Sequence, residues 1–172
     1  MKKIAILIDH LFQDSEVTSP LEELTKSGFT VDVIGMAKGV EYEGKKGTKI
    51  KSNYSIDEVF SKDYVGLIIP GGWAPDKMRM NEKMVTFTKE MNLQKKPIAS
   101  ICHGGWMLAE ADIIKGKKLT SYKAIKTDLT NAGGNWIDEE VVVDGNLITS
   151  RTPDDLPAFN KALIQALNLS KV

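Results

Sequence analysis

Cys102 is the single cysteine of this 172-residue chain, and it stands between an apolar run and a pair of glycines, in Pro97-Ile98-Ala99-Ser100-Ile101-Cys102-His103-Gly104-Gly105. The run 98–101 is short, apolar and opened by a proline, the pattern of a buried strand. The residues that follow, Trp106-Met107-Leu108-Ala109-Glu110-Ala111, are good helix formers with apolar spacing suited to packing on a sheet. A nucleophile between a strand end and a helix start sits on a sharp turn that lifts it out of the sheet. A helix N-terminus there favours the thiolate. Free cysteines are most often small buried hydrophobes. The strand–Cys-His-Gly–helix context favours a reactive thiol instead.

A nucleophilic thiol needs help to ionise, and His103 and Glu16 are the candidates. On a strand-to-helix turn successive side chains fan out, so His103 either pairs with the sulfur or points sideways toward a carboxylate. His10, the other histidine, is a rival base whose plainer reading is an ordinary loop residue. Asp14, Glu16 and Asp76 are the carboxylates expected at the same edge. Glu16 at a helix start reads either as a partner of the helix dipole or as a carboxyl group hydrogen-bonded to the thiol. Asp76, after Gly-Gly-Trp-Ala-Pro, reads also as a turn or cap residue. The backbone N–H groups of Gly72 and His103 form a candidate oxyanion hole. Trp73 and Tyr122 are placed at the mouth of the site, while Trp106 and Trp136 are read as core. One cysteine and two histidines give no metal-ligand spacing. No Gly-rich nucleotide loop is present, so no cofactor is expected. A glutaminase of class I type needs a histidine after the elbow, and none follows His103.

The elements that must hold these residues alternate between strand and helix. Strands are predicted over 3–8, 29–34, 64–69 and 98–101, with a short one over 118–121. Helices are predicted over 15–27, 81–91, 103–111, 125–131 and 154–167. Residues 39–51 read as a small hairpin extension outside the core sheet. Asp144-Gly145-Asn146 is a turn signal joining strands 140–143 and 147–149. This order implies an α/β three-layer sandwich with a mostly parallel sheet, a nucleophile elbow and a small antiparallel edge hairpin. Chemistry in such sheets gathers beyond the carboxyl ends of the strands. There the loops 9–16, 70–76 and 102–105 converge.

Length and composition set the frame. The chain is read as one domain over residues 1–172. Hydrophobic residues at 42% and charged residues at 27% fit a globular protein. The 23 basic and 23 acidic residues cancel, which argues against nucleic-acid binding and leaves little charge to resist self-association. No apolar run reaches membrane-spanning length, and a lone cysteine excludes an intrachain disulfide. A cytoplasmic location is expected.

At these motifs the chain resembles the PfpI-type intracellular protease/amidase family, within the superfamily of the parkinsonism-associated deglycase. The matching pieces are Phe12-Gln13-Asp14-Ser15-Glu16 with Pro20, Ile69-Pro70-Gly71-Gly72-Trp73-Ala74-Pro75-Asp76, Ile101-Cys102-His103-Gly104, Leu119-Thr120-Ser121-Tyr122, and the stretch 138–155. The resemblance implies a flavodoxin-like fold, Cys102 as nucleophile, Glu16 touching its sulfur and Gly72 with His103 as oxyanion donors. It also implies His103 as the catalytic histidine, oriented by Asp76 of a neighbouring subunit, hence a homodimer or a hexamer. Asp76 is one methylene shorter than the glutamate more usual there, Gln13 replaces an acid, and Gly105-Trp106 replaces Pro-Gln. The activities implied are glyoxalase without added cofactor, deglycase or intracellular peptidase, on a small carbonyl or a peptide. The rival reading is a redox-sensing stress protein whose Cys102 is oxidised to sulfinate and turns nothing over.

Overall fold

The computed structural model describes residues 2–169. In chain order the elements are β1 (Lys3–Leu7), α1 (Asp14–Lys26), β2 (Thr30–Gly35), β3 (Glu41–Glu43), β4 (Lys49–Lys51), β5 (Tyr54–Ser55) and β6 (Gly66–Ile69). There follow α2 (Ala74–Met78), α3 (Glu82–Leu93), β7 (Ile98–Ile101), α4 (Gly105–Glu110), β8 (Lys118–Leu119) and α5 (Lys126–Asn131). The chain closes with β9 (Asn135–Trp136), β10 (Val142–Asp144), β11 (Leu147–Ser150) and α6 (Leu156–Leu169).

The main sheet has seven strands in the order β10-β11-β7-β6-β1-β2-β5, all parallel except β10, which pairs antiparallel with β11. Its inner strands run β2-β1-β6-β7-β11, the flavodoxin-like order, and the direction of winding reverses between β1 and β6. Both faces of this sheet are covered, which is why its strands are apolar throughout rather than alternating. On one face Ile4, Ile6, Ile68, Ala99 and Ile148 pack against Leu24 of α1 and Phe159, Leu163 and Leu167 of α6. On the other, Ala5, Leu7, Leu67 and Ile69 pack against Met84, Phe87 and Met91 of α3 and Met107 and Leu108 of α4. Each such fully buried aliphatic side chain contributes about 2 kcal/mol of transfer free energy. The result is the expected three-layer sandwich.

Several details differ from the sequence reading. β3 and β4 form their own antiparallel sheet beside the core, as the hairpin reading anticipated. β5, α2 and β9 had no counterpart in that reading. Two-residue strands carry no periodicity. In α2, Pro75 lies in the first turn of a helix that Gly-Gly-Trp had made look like a plain loop. The third strand begins at Gly66 rather than residue 64; the Tyr64 hydroxyl, just before it, donates to Asp32 Oδ2 at 2.8 Å. The helix expected over 103–111 is a 3-10 turn, Cys102–Gly104, followed by α4. Trp106 and Trp136 are half-buried rather than core. Their indole N–H groups, donating to Asp128 Oδ2 and Ser121 Oγ at 2.9 Å each, hold them near the surface.

Candidate active site

The loops after β1, β6 and β7 meet at the reversal in strand order, and backbone hydrogen bonds stitch them together. Gln13 N–H donates to the Gly71 carbonyl at 3.1 Å, and Trp73 N–H to the Leu11 carbonyl at 2.8 Å. Phe12 and Gly72 form an isolated antiparallel bridge. Gly72 has φ +81°, and a Cβ there would lie 2.4 Å from Gln13 N and 2.5 Å from the Leu11 carbonyl oxygen. Only glycine permits that contact between the two loops.

Cys102 directly follows β7 with φ +60°, a left-handed conformation rare for a residue with a side chain. The adjoining 3-10 turn and α4 hold it there, and strain of this kind is characteristic of a nucleophile lifted out of a sheet. Its sulfur lies 3.3 Å from His103 Nδ1. Of the two orientations open to His103, the structure has the one that pairs with the sulfur. The backbone N–H groups of Gly72 and His103 are directed at the same sulfur.

Glu16, on the first turn of α1, is fully buried. Its Oε1 accepts from Gly71 N–H at 2.8 Å. Its other oxygen, Oε2, is buried without an aligned hydrogen-bond partner. The Cys102 thiol is close enough to lend the carboxyl group some stabilisation, though not in a geometry that satisfies Oε2. Burial raises Glu16 to about 7, against the lowering effects of Gly71 N–H, Lys45 and Cys102. Burial, and then the Glu16 charge, push the Cys102 thiol up to about 12, although the two backbone N–H groups and Lys45 oppose this. The sequence reading gave the helix N-terminus the upper hand and favoured a thiolate. At 8% exposure, burial opposes the thiolate that the turn would favour and pushes both groups toward their neutral forms. One proton shared across the pair avoids two adjacent negative charges in a dry site.

Burial, and then the nearby Lys45 charge, lower the His103 pKa and favour its neutral imidazole. Its ring is boxed by Trp73, Trp106 and Tyr122, with centroids at 5.6, 5.1 and 5.0 Å. Trp73 and Tyr122 are 51% and 40% exposed and line a cavity of about 700 Å³ whose floor is Cys102 and His103.

Three residues from the sequence reading stand elsewhere. His10 does not line this cavity. It turns to the β3–β4 hairpin, where its ring meets Tyr42 at 4.8 Å and its Nδ1 accepts from Glu43 N–H at 3.3 Å. Asp76 is exposed on α2, and no side-chain hydrogen bond or ion pair joins it to His103 within the chain. Asp14 is buried, but both its oxygens are taken by backbone N–H groups of Lys46 and Thr48 at 2.9 Å, away from the sulfur. Sequence reasoning missed Lys45, Lys46 and Trp106, all of which line the cavity. The lysines lie on a hairpin tip outside any motif, and contacts made through space, from Asp14 and the Phe12 carbonyl, tie that tip to the site.

The chain as a whole has counterparts by sequence and by fold. The chain matches the DJ-1/PfpI family over residues 2–166. It is 47% identical over 168 residues to Protein/nucleic acid deglycase 2 of Escherichia coli, covering 96% of this chain and 98% of that one. It is 44% identical over 168 residues to General stress protein 18 of Bacillus subtilis, with the same coverage. Among solved structures, a two-domain protein of Anabaena variabilis with DJ-1/ThiJ/PfpI-like and ferritin-like domains superposes with a TM-score of 0.96 at 41% identity. That superposition covers 98% of this chain and 48% of the other. With a family match running almost end to end and an elbow where the sequence places it, the chain belongs to the DJ-1/PfpI family.

Proposed function

We propose that the protein is a cysteine-nucleophile enzyme acting on reactive carbonyls or on the glycated amines they form. The observation that carries this reading is the arrangement around Cys102: a strained elbow sulfur, 3.3 Å from His103 Nδ1, with two N–H donors and a buried carboxyl group that titrates near neutral pH. The name of the E. coli relative, a deglycase, supports it.

For a 2-oxoaldehyde the Cys102 thiol gives its proton to Glu16 or His103 as the sulfur bonds to the aldehyde carbon. The resulting oxyanion is held by the Gly72 and His103 N–H groups. Moving the proton from that carbon to the neighbouring carbonyl carbon, through an enediol, oxidises the first and reduces the second. Water then hydrolyses the thioester and frees Cys102. Methylglyoxal plus water becomes lactic acid, with no outside oxidant or reductant. For a glycated amine the same attack expels the free amine. Peptide hydrolysis is ranked lower, because the cavity is small and boxed by aromatic rings around His103. An assembly in which Asp76 of a second copy reaches His103 would complete the site as the family resemblance implies.

Proton NMR of the purified protein with methylglyoxal, free of glutathione, tests the reading. Lactate should accumulate over many turnovers. Cleavage of peptides with no lactate would overturn it. One observation favours the redox-sensing alternative: Glu16 Oε2 is buried and unpaired beside the sulfur, where it would bond to a sulfinate oxygen. Peroxide treatment giving a stable product with two added oxygens, in a protein that consumes no carbonyl, would support that alternative instead.

A further inference from the structure

The β3–β4 hairpin is built to hold two lysines over the reactive cysteine. Its tip, residues 44–48, is closed by Gly44 N–H to the Thr48 carbonyl at 2.8 Å and Gly47 N–H to the Gly44 carbonyl at 3.0 Å. It is tied to the core by Lys45 N–H to the Phe12 carbonyl at 2.9 Å and by the two N–H groups that Asp14 accepts. Gly44 sits so close to Asp14 that a Cβ would approach the carboxylate to 2.8 Å. These bonds clamp the tip to the loop after β1. The consequence is that Lys45 and Lys46 both line the Cys102 cavity, with the Lys45 ammonium 5.1 Å from the Trp73 ring centroid. No acidic side chain is among the lining residues to cancel them.

We propose that Lys45 and Lys46 make this pocket select substrates that carry a carboxylate at the end distal to the reactive carbonyl, such as 2-oxoaldehydes ending in an acid group. The choice of carbonyl rests on the function proposed above; the charge preference rests on the hairpin alone. Cys102 takes the aldehyde carbon and the lysines take the distal carboxylate. With 4,5-dioxopentanoate the balance is the one already given: the aldehyde becomes a carboxylic acid, the ketone an alcohol, and one water is consumed to yield 2-hydroxyglutarate. Lysine suits this role as a compact point charge that tolerates ligands of different length. Glu16 is fully buried and does not line the cavity, so the cavity presents a positive mouth over the Cys102 sulfur.

The test uses two alkylating reagents of nearly equal size, iodoacetate and iodoacetamide, on the full-length protein. Each bonds its methylene carbon to the Cys102 sulfur and releases iodide, read by intact mass. The ratio of the two rates cancels any change in the intrinsic reactivity of the sulfur. The iodoacetate-to-iodoacetamide ratio should fall about tenfold in K45Q/K46Q, and high salt should reproduce part of that fall in the unaltered protein. An unchanged ratio overturns the proposal. In a second arm, the ratio of kcat/KM for 4,5-dioxopentanoate to that for methylglyoxal should fall likewise, and turnover of both with an unaltered ratio also overturns it. If the alkylation ratio shifts and neither carbonyl is consumed, the anion-selecting pocket stands and the carbonyl function fails.

Discussion

Cys102 and Glu16 share a problem that neither has alone. Each is pushed toward its neutral form by burial, and the charge on either one penalises charge on the other. Replacing Glu16 by glutamine keeps an acceptor for Gly71 N–H and removes the charge. The pH midpoint for alkylation of Cys102 by iodoacetamide should then drop by about one unit or more. An unmoved midpoint would mean that burial alone sets the reactivity of the sulfur. The same glutamate makes stability depend on pH. Its folded value, about 7, lies above the ordinary 4.5, so the folded state holds the proton more tightly. The stabilisation is fully present below pH 4.5 and is lost as pH rises through 7, by on the order of 3 kcal/mol for a group this buried. Urea unfolding at pH 5 and pH 8 should show that slope in the unaltered protein and not in Glu16→Gln. At this scale the sequence named the right neighbours, Cys102, His103 and Glu16, because a strand-end Cys-His-Gly and a helix-start glutamate are local patterns. The burial that opposes ionisation of the sulfur was not legible, because it is a property of three loops meeting and no local pattern reports it.

Elements set the placement, and two of them can be tested by single changes. Gly72→Ala puts a methyl group against backbone atoms of the β1 loop and strains a positive φ. It should cost about 2 kcal/mol or more in stability and slow Cys102 alkylation, since the Gly72 N–H would leave the sulfur. Loss of stability with alkylation unchanged would show that this N–H does not act on the thiol. Asp14→Ala removes the two hydrogen bonds that clamp the hairpin tip. A carboxylate this well satisfied, with its pKa held below the ordinary value by those bonds against the effect of burial, should be worth about 2 kcal/mol. Urea unfolding checks that figure, and a loss well under 1 kcal/mol would show the tip held by its backbone bonds alone. Strand and helix order were legible because both faces of the sheet are covered, which writes near-continuous apolar runs such as Lys3–Leu7 and Ile98–Ile101. The hairpin was legible as an outlier from the sheet, yet its purpose was not. Asp14 and Lys46 meet across 32 positions of sequence, and neither carries a mark of the other.

At the scale of the whole molecule, the chain presents Asp76 and Trp73 at the surface beside a site that lacks an acid to orient His103. No helix among the described residues is long and apolar enough to cross a membrane. If a second copy supplies that acid, light scattering should give a dimer or larger assembly at micromolar concentration. Asp76→Asn should then lower kcat for methylglyoxal by about tenfold or more, with Cys102 alkylation by iodoacetamide little changed. A monomer whose Asp76→Asn variant is fully active would remove the shared site from the account. The central claim is simpler, that the sulfur of Cys102 performs the chemistry. It is tested most directly by following methylglyoxal loss and lactate gain, without glutathione, in the unaltered protein beside Cys102→Ser. Lactate formation should be sustained in the unaltered protein and disappear in the serine variant, whose hydroxyl is a far weaker nucleophile at this pH. Equal lactate formation by both proteins would contradict the claim.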